Sequence, residues 1–236
     1  MNQSTKEKSY LTALINQIQY DPTSFIVKTE NDKYIFGMCT PDPNDPLGKF
    51  FMYKTLFDSI HNIDKKIKYS FEQSLSFAYT DAVFKNFKMF DSSPEEEKSY
   101  YYLENALFRT STLWDLLAQI YNIICDVNLP VDRINYYWFF TNQSKNPSSF
   151  QDTLNAIKAY LDQTDNTDTP TLWEGNHTFC NQLRNKMTHR NAPTVNTASN
   201  FDFSLKDHPT YLLKRVIEDY YVVSNFIREA FLLIEP

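Results

Sequence analysis

Glycine occurs only three times in this chain of 236 residues, at Gly37, Gly48 and Gly175. Loops that cradle phosphate with backbone N–H groups need clustered glycines, so a GxGxxG or Walker-type nucleotide site is excluded. Cysteine is as sparse: Cys39, Cys125 and Cys180 are odd in number and far apart. That excludes a disulfide framework and a CxxC metal site and fits a reducing compartment. No stretch approaches the roughly 18 consecutive apolar residues of a membrane span. Met1-Asn2-Gln3-Ser4 lacks the basic stretch and apolar run of a secretory signal. The expectation is a soluble, cytoplasmic protein with no membrane partner.

Positive charge is also short overall. A formal net charge of −6 argues against a protein that coats nucleic acid by bulk electrostatics. Acid is missing in one place, however. From Gly175 to Phe201 there is no Asp or Glu, while His177, Arg184, Lys186, His189 and Arg190 all fall inside that stretch. The result is a small positive island able to hold an anion.

What the chain does have is helical periodicity. Ser4-Thr5-Lys6-Glu7 has the form of a capping box, and Leu11, Leu14, Ile15 and Ile18 follow at helical spacing before Pro22. Phe25 to Thr29 and Lys33 to Met38 are β-prone runs around Glu30-Asn31-Asp32 and read as a small hairpin. A proline-rich turn, Pro41 to Pro46, leads into apolar positions from Phe51 to Phe90 that suit one long helix or two with a break. Ser93-Pro94-Glu95-Glu96 marks a fresh start with a cap, a first-position proline and acids in the first turn.

Beyond that start, Leu103, Ala106, Leu107, Thr110, Leu113, Trp114, Leu117, Ile120, Tyr121 and Ile124 form a core-facing stripe. After a loop, Phe150, Leu154, Ile157 and Leu161 repeat the pattern. Thr169-Pro170 reads as the start of a third helix carrying Leu172, Cys180, Leu183 and Met187, and Asp207 as the cap of a last helix through Ile234. The expected fold is all-α: an antiparallel four-helix bundle over residues 93–236, preceded over residues 1–92 by an extension of a helix, the small β-hairpin and a long helix.

The end of the third helix carries Arg184-Asn185-Lys186-Met187-Thr188-His189, followed by Arg190. A guanidinium that stays charged and an imidazole that titrates near neutrality suit phosphodiester chemistry without a metal. Steps of four, three and four place His177, Asn181, Arg184 and Thr188 on one stripe. His189 lies about 140° round from Arg184 on an ideal helix. The two meet only if the helix unwinds, the Arg184 stem swings across, or a second chain supplies another copy.

This segment resembles the signature of the HEPN superfamily: Arg, four to six residues, His, with a polar residue commonly after the arginine, at the end of the next-to-last helix of a bundle. The resemblance runs from Ser93 to the end of the chain. It implies a metal-independent endoribonuclease working as a homodimer, with both motifs lining one cleft and no cofactor. Carried onto this chain, Arg184 and His189 are the catalytic pair. Asn185 is an orienting neighbour, and Lys186, Thr188, Arg190, Asn181 and His177 are supporting or RNA-binding residues. The expected partners are RNA, a second copy and an antitoxin or other regulatory protein, in a toxin or antiviral defence setting. Some members carry a tyrosine two residues after the histidine. Asn191 stands there, so control through modification of that tyrosine is not expected.

Plainer readings stand beside this one. Arg184 and His189 at a helix C-terminus also suit the helix dipole and capping, and a lone helical His177 is more often solvated than functional. The same cleft would serve a catalytically inactive dimer that binds nucleotide, RNA or a protein. The runs Tyr100-Tyr101-Tyr102 and Tyr136-Tyr137-Trp138-Phe139-Phe140 could stack on bases but more often fill cores or interfaces; an interface is the favoured reading.

Overall fold

The computed structural model describes residues 3–21, 46–141, 150–166, 172–189, 197–199 and 202–234. Among these are eight α-helices: α1 (Gln3–Gln17), α2 (Pro46–Ala78), α3 (Asp81–Phe84), α4 (Pro94–Ile124), α5 (Tyr136–Thr141), α6 (Gln151–Leu161), α7 (Asn176–His189) and α8 (Pro209–Leu232). The strands β1 (Thr197–Ser199) and β2 (Asp202–Ser204) form a short antiparallel pair between α7 and α8.

The centre of the molecule is α8. Leu212, Leu213, Val216, Ile217, Tyr220, Val223, Ile227 and Ala230 are all buried, a band too wide for a helix with only one neighbour. It packs against α4, α7, α1 and α2. The longest pairing joins α2 to α4. Leu56, Ile60, Ile67, Phe71, Leu75 and Ala78 on α2 meet the stripe from Leu103 to Tyr121 on α4 in one continuous core that also takes in Leu11, Leu14, Ile15 and Ile18. Each large apolar side chain buried this way contributes about 1.5–3 kcal/mol. The two helices approach closely where both carry serine: Ser74 Oγ donates to the Ser99 carbonyl at 2.7 Å.

The architecture expected from the sequence therefore needs correction. A four-helix bundle with an appended N-terminal extension does not describe this fold, because α1 and α2 bury their apolar faces in the same core as α4 and α8. The small β-hairpin expected in that extension forms no part of the described fold. Its residues, 25–38, lie outside the described ones, and the described N-terminal elements, α1 to α3, are helical. The apolar series from Phe51 to Phe90 is one long helix ending at Ala78, followed by the single turn α3.

Several boundaries differ in instructive ways. α1 begins at Gln3, so Ser4 lies inside it rather than capping it, and Glu7 instead accepts a hydrogen bond from the Tyr79 hydroxyl at 3.0 Å. Ser93 does cap α4, its Oγ accepting from the Glu96 N–H at 3.2 Å, with Pro94 at the first position. α7 starts at Asn176 and not near Thr169-Pro170, which lie outside the described residues. Gly175 sets that start: its φ of +73° is left-handed, and a Cβ there would lie 2.5 Å from the Asp165 backbone nitrogen. His208, not Asp207, caps α8, its Nδ1 accepting from the Thr210 N–H at 3.2 Å. The short helix α5 was not anticipated. Tyr136, Phe139 and Phe140 are buried in it, while Tyr137 and Trp138 are exposed.

Candidate functional site

α7 is laid onto the core by a buried polar cluster at its N-terminus. The Arg215 side chain, fully buried on α8, donates through Nε to Asn176 Oδ1, lies 2.9 Å from Asp165 Oδ1, and stacks between the rings of Trp173 and Phe179. Glu218, one turn on, accepts from Asn176 Nδ2 and the Trp173 N–H, both at 2.9 Å, and from the Tyr10 hydroxyl at 3.0 Å. These charged groups are paired and hydrogen-bonded, the condition under which ionised groups are retained in a core. They fix the direction in which the rest of α7 runs.

At the second position of α7, His177 is buried rather than solvated. Its Nε2 lies 3.0 Å from the Tyr136 hydroxyl, its Nδ1 lies 3.4 Å from Asp219 Oδ1, and its ring meets Trp114 edge-on with centroids 4.8 Å apart. Asp219 also accepts from the Tyr160 hydroxyl at 3.0 Å and from Trp114 Nε1 at 3.3 Å. Burial pushes the Tyr136 and Tyr160 hydroxyls well above their usual range, and the Asp219 carboxylate reinforces the shift. Both remain hydrogen-bond donors at neutral pH. Burial, with Asp219 next, also drives the Cys180 thiol up, which excludes a thiolate nucleophile there.

Two turns further on, Arg184 is half-buried against α4. Its Nη1 donates to Ser111 Oγ at 2.7 Å and its Nη2 to Asn185 Oδ1 at 3.3 Å. Between this contact and His177 lies a small hollow lined by Leu107, Ser111, Trp114, His177, Cys180, Asn181 and Asp219. Among the described residues, neither the buried Asn181 Oδ1 nor His177 Nδ1 has a hydrogen-bond partner. Asp115 is near enough to feel Arg184; burial raises its carboxyl, against the pull of the Tyr136 backbone N–H and of Arg184.

The sequence-derived residues are thus partly brought together. His177, Asn181 and Arg184 do share a face, but it is turned inward onto α4 and α8, not toward solvent. Thr188 spends its hydroxyl on the Arg184 carbonyl at 2.9 Å. Asn185 and Lys186 are exposed, and Lys186 stabilises the ionised form of Asp207 against burial, which raises its carboxyl. The backbone of α7 is helical through His189, so unwinding does not bring the pair together, and the Arg184 guanidinium is committed toward Ser111. Arg190 lies outside the described residues.

Sequence reasoning missed Ser111, Asp115 and Asp219. The motif itself is free of acid, yet the fold brings carboxylates from α4 and α8 beside it. A signal existed on α8: Arg215, Glu218 and Asp219 stand at i, i+3 and i+4 between the apolar pairs Leu212-Leu213 and Val222-Val223. Among the described residues no group of three or more His, Cys, Asp or Glu side chains is arranged to hold a metal ion. No helix among them is long and apolar enough to cross a membrane. Comparison of the chain with protein-family models, with curated proteins and with solved structures finds no match.

Proposed function

We propose that this chain is a metal-independent endoribonuclease of the HEPN type, cleaving RNA at a cleft shared by two copies in the cytoplasm, under control of an antitoxin or regulatory protein. The observation that carries the reading is the Arg184 guanidinium, held on α7 by Ser111 and Asn185 five residues before His189. Two of its five N–H donors bond Ser111 and Asn185, and on this reading the others serve phosphate oxygens. An unbroken helix keeps residues 184 and 189 about 140° apart, which favours a site completed by a second copy.

In that site the ribose 2′-oxygen attacks the adjacent phosphorus while His189 of one subunit takes its proton. The bond from phosphorus to the 5′-oxygen breaks, and His189 of the partner subunit protonates the leaving oxygen. The products are a 2′,3′-cyclic phosphate and a 5′-hydroxyl. An imidazole titrating near neutrality suits both transfers, each worth roughly 10²- to 10⁴-fold. Arg184 stabilises the charge that grows on the phosphorane.

The test is incubation of the pure protein with total RNA, with and without excess EDTA. Cleavage that survives chelation and is lost in Arg184→Ala and His189→Ala supports the proposal. A strict metal requirement, or full activity in either variant, overturns it.

A further inference from the structure

The face of α4 turned away from α7 carries a second feature that the motif does not use. α2 and α4 run antiparallel, with Ser74 against Ser99 and Tyr69 against Tyr102. Along this seam opens a hollow of about 300 Å³ lined by Lys65, Lys66, Tyr69 and Ser70 from α2 and by Tyr101, Tyr102, Asn105 and Arg109 from α4. Three cations and three tyrosines meet there, and no carboxylate among the described residues lines it.

The geometry of the rings is that of a stacking platform. Tyr102 is held in the middle, stacked on Phe77 with planes 7° apart. Tyr69 and Tyr101 stand nearly perpendicular to it on either side, at 84° and 78°. They are 56% and 62% exposed, so their faces are open to a flat ligand. Arg109 is tethered through Nη1 to the Asn105 carbonyl and side-chain oxygens at 2.8 and 3.0 Å, which leaves Nη2 and Nε available. Lys65 and Lys66 are exposed and carry no ion pair among the described residues. Their neighbour Lys68 is the one that pairs with Asp64, at 2.8 Å.

We infer that this groove binds single-stranded RNA, with bases on Tyr69 and Tyr101 and phosphates on Lys65, Lys66 and Arg109. Aromatic faces bind any unpaired base without reading sequence, and flanking cations track the backbone. A duplex hides its base faces in its own stack and gains nothing from the tyrosines. In a chain of net charge −6, cations with no ion pair among the described residues, collected around exposed rings, offer charge complementarity to a polyanion that the bulk of the surface repels. The inference rests on the reading of RNA as ligand but not on cleavage.

The experiment separates the two. Binding of a fluorescein-labelled oligouridylate methylated at every 2′-oxygen is followed by anisotropy over a range of salt; without the nucleophile it cannot be cleaved. For the intact protein, tight binding of the single strand and much weaker binding of the matching duplex are expected. Tyr69→Ala with Tyr101→Ala should weaken binding about thirtyfold, from two stacked bases at about 1 kcal/mol each, whereas the two Tyr→Phe changes should not. Lys65→Glu with Lys66→Glu should weaken it further and lower the salt slope by about 0.7 per lost phosphate contact. Thermal melts confirm that each variant is folded. Undiminished affinity in the folded tyrosine variant, or equal affinity for duplex, overturns the inference and leaves the nuclease proposal standing. Loss of affinity in those variants with no cleavage of unmodified RNA does the reverse.

Discussion

Arg184 Nη1 lies 2.7 Å from Ser111 Oγ, joining the middle of α7 to the middle of α4. A hydroxyl accepting from the guanidinium fixes a side chain that would otherwise sample many rotamers. The contact ties the permanently charged member of the proposed pair to α4, which packs along α2. Site geometry and core packing are therefore coupled through a single hydrogen bond.

Ser111→Ala should expose that coupling. On the proposed chemistry kcat falls about tenfold or more, as expected for a misplaced clamp, with KM nearly unchanged. Arg184→Ala and His189→Ala should fall by roughly 10² to 10⁴. Urea titration should show a stability loss of no more than about 1–3 kcal/mol in Ser111→Ala. Equal rates in the serine variant would remove Ser111 from the site.

His208 makes stability depend on pH. Burial lowers its pKa, outweighing the Val83 carbonyl and the nearby Glu96 and Glu7, which raise it. The neutral ring fits the α8 cap, since Nδ1 must accept from Thr210 while Nε2 faces the Val83 carbonyl at 3.3 Å. A folded pKa below the unfolded value means the unfolded chain binds more protons, so stability is present above about pH 6.5 and declines as pH falls through the window below it. His208→Asn keeps a capping oxygen and should flatten that slope. A Tm that falls just as steeply in the variant between about pH 7 and 5.5 would assign the slope elsewhere.

Gly175 is strictly placed. In Gly175→Ala the left-handed backbone and the 2.5 Å approach to Asp165 both oppose a side chain, and destabilisation of about 2 kcal/mol or more is expected. Because Gly175 precedes α7 directly, hydrogen exchange should rise first in α7. Uniform exchange with an unchanged Tm would contradict this account.

Lys206 and Glu96 form a buried ion pair at 2.6 Å, with Ser92 Oγ also accepting from the ammonium at 3.1 Å. The pair pins the chain ahead of α8 to the start of α4. Lys206→Met alone leaves a buried carboxylate and should cost about 3–5 kcal/mol. Adding Glu96→Leu should recover most of that loss in urea denaturation. Failure to recover would mean the pair itself, and not the orphaned charge, carries the stability.

Much of the fold was legible because a helix writes its buried face in the local sequence. The stripe from Leu103 to Tyr121, the Ser93-Pro94 start and the run into α8 could all be read from spacing and capping chemistry. The starts of α7 and α8 were misread for a physical reason. A proline after a threonine is a local preference, whereas the turn at Gly175 answers to the approach of Asp165, ten residues away.

By itself the sequence determined which stretches carry a helical period, and that Arg184 and His189 stand one helical turn and a fraction apart. Tertiary structure alone decided that α1 and α2 are core rather than appendage, that His177 is buried against Asp219, and that Tyr69 and Tyr101 flank one cationic groove. Periodicity records how much of a helix is buried but not against which partner. The carboxylates, hydroxyls and rings that meet at these places come from segments up to 208 residues apart, as between Tyr10 and Glu218. Only packing between helices distant in the chain brings such groups within hydrogen-bond reach.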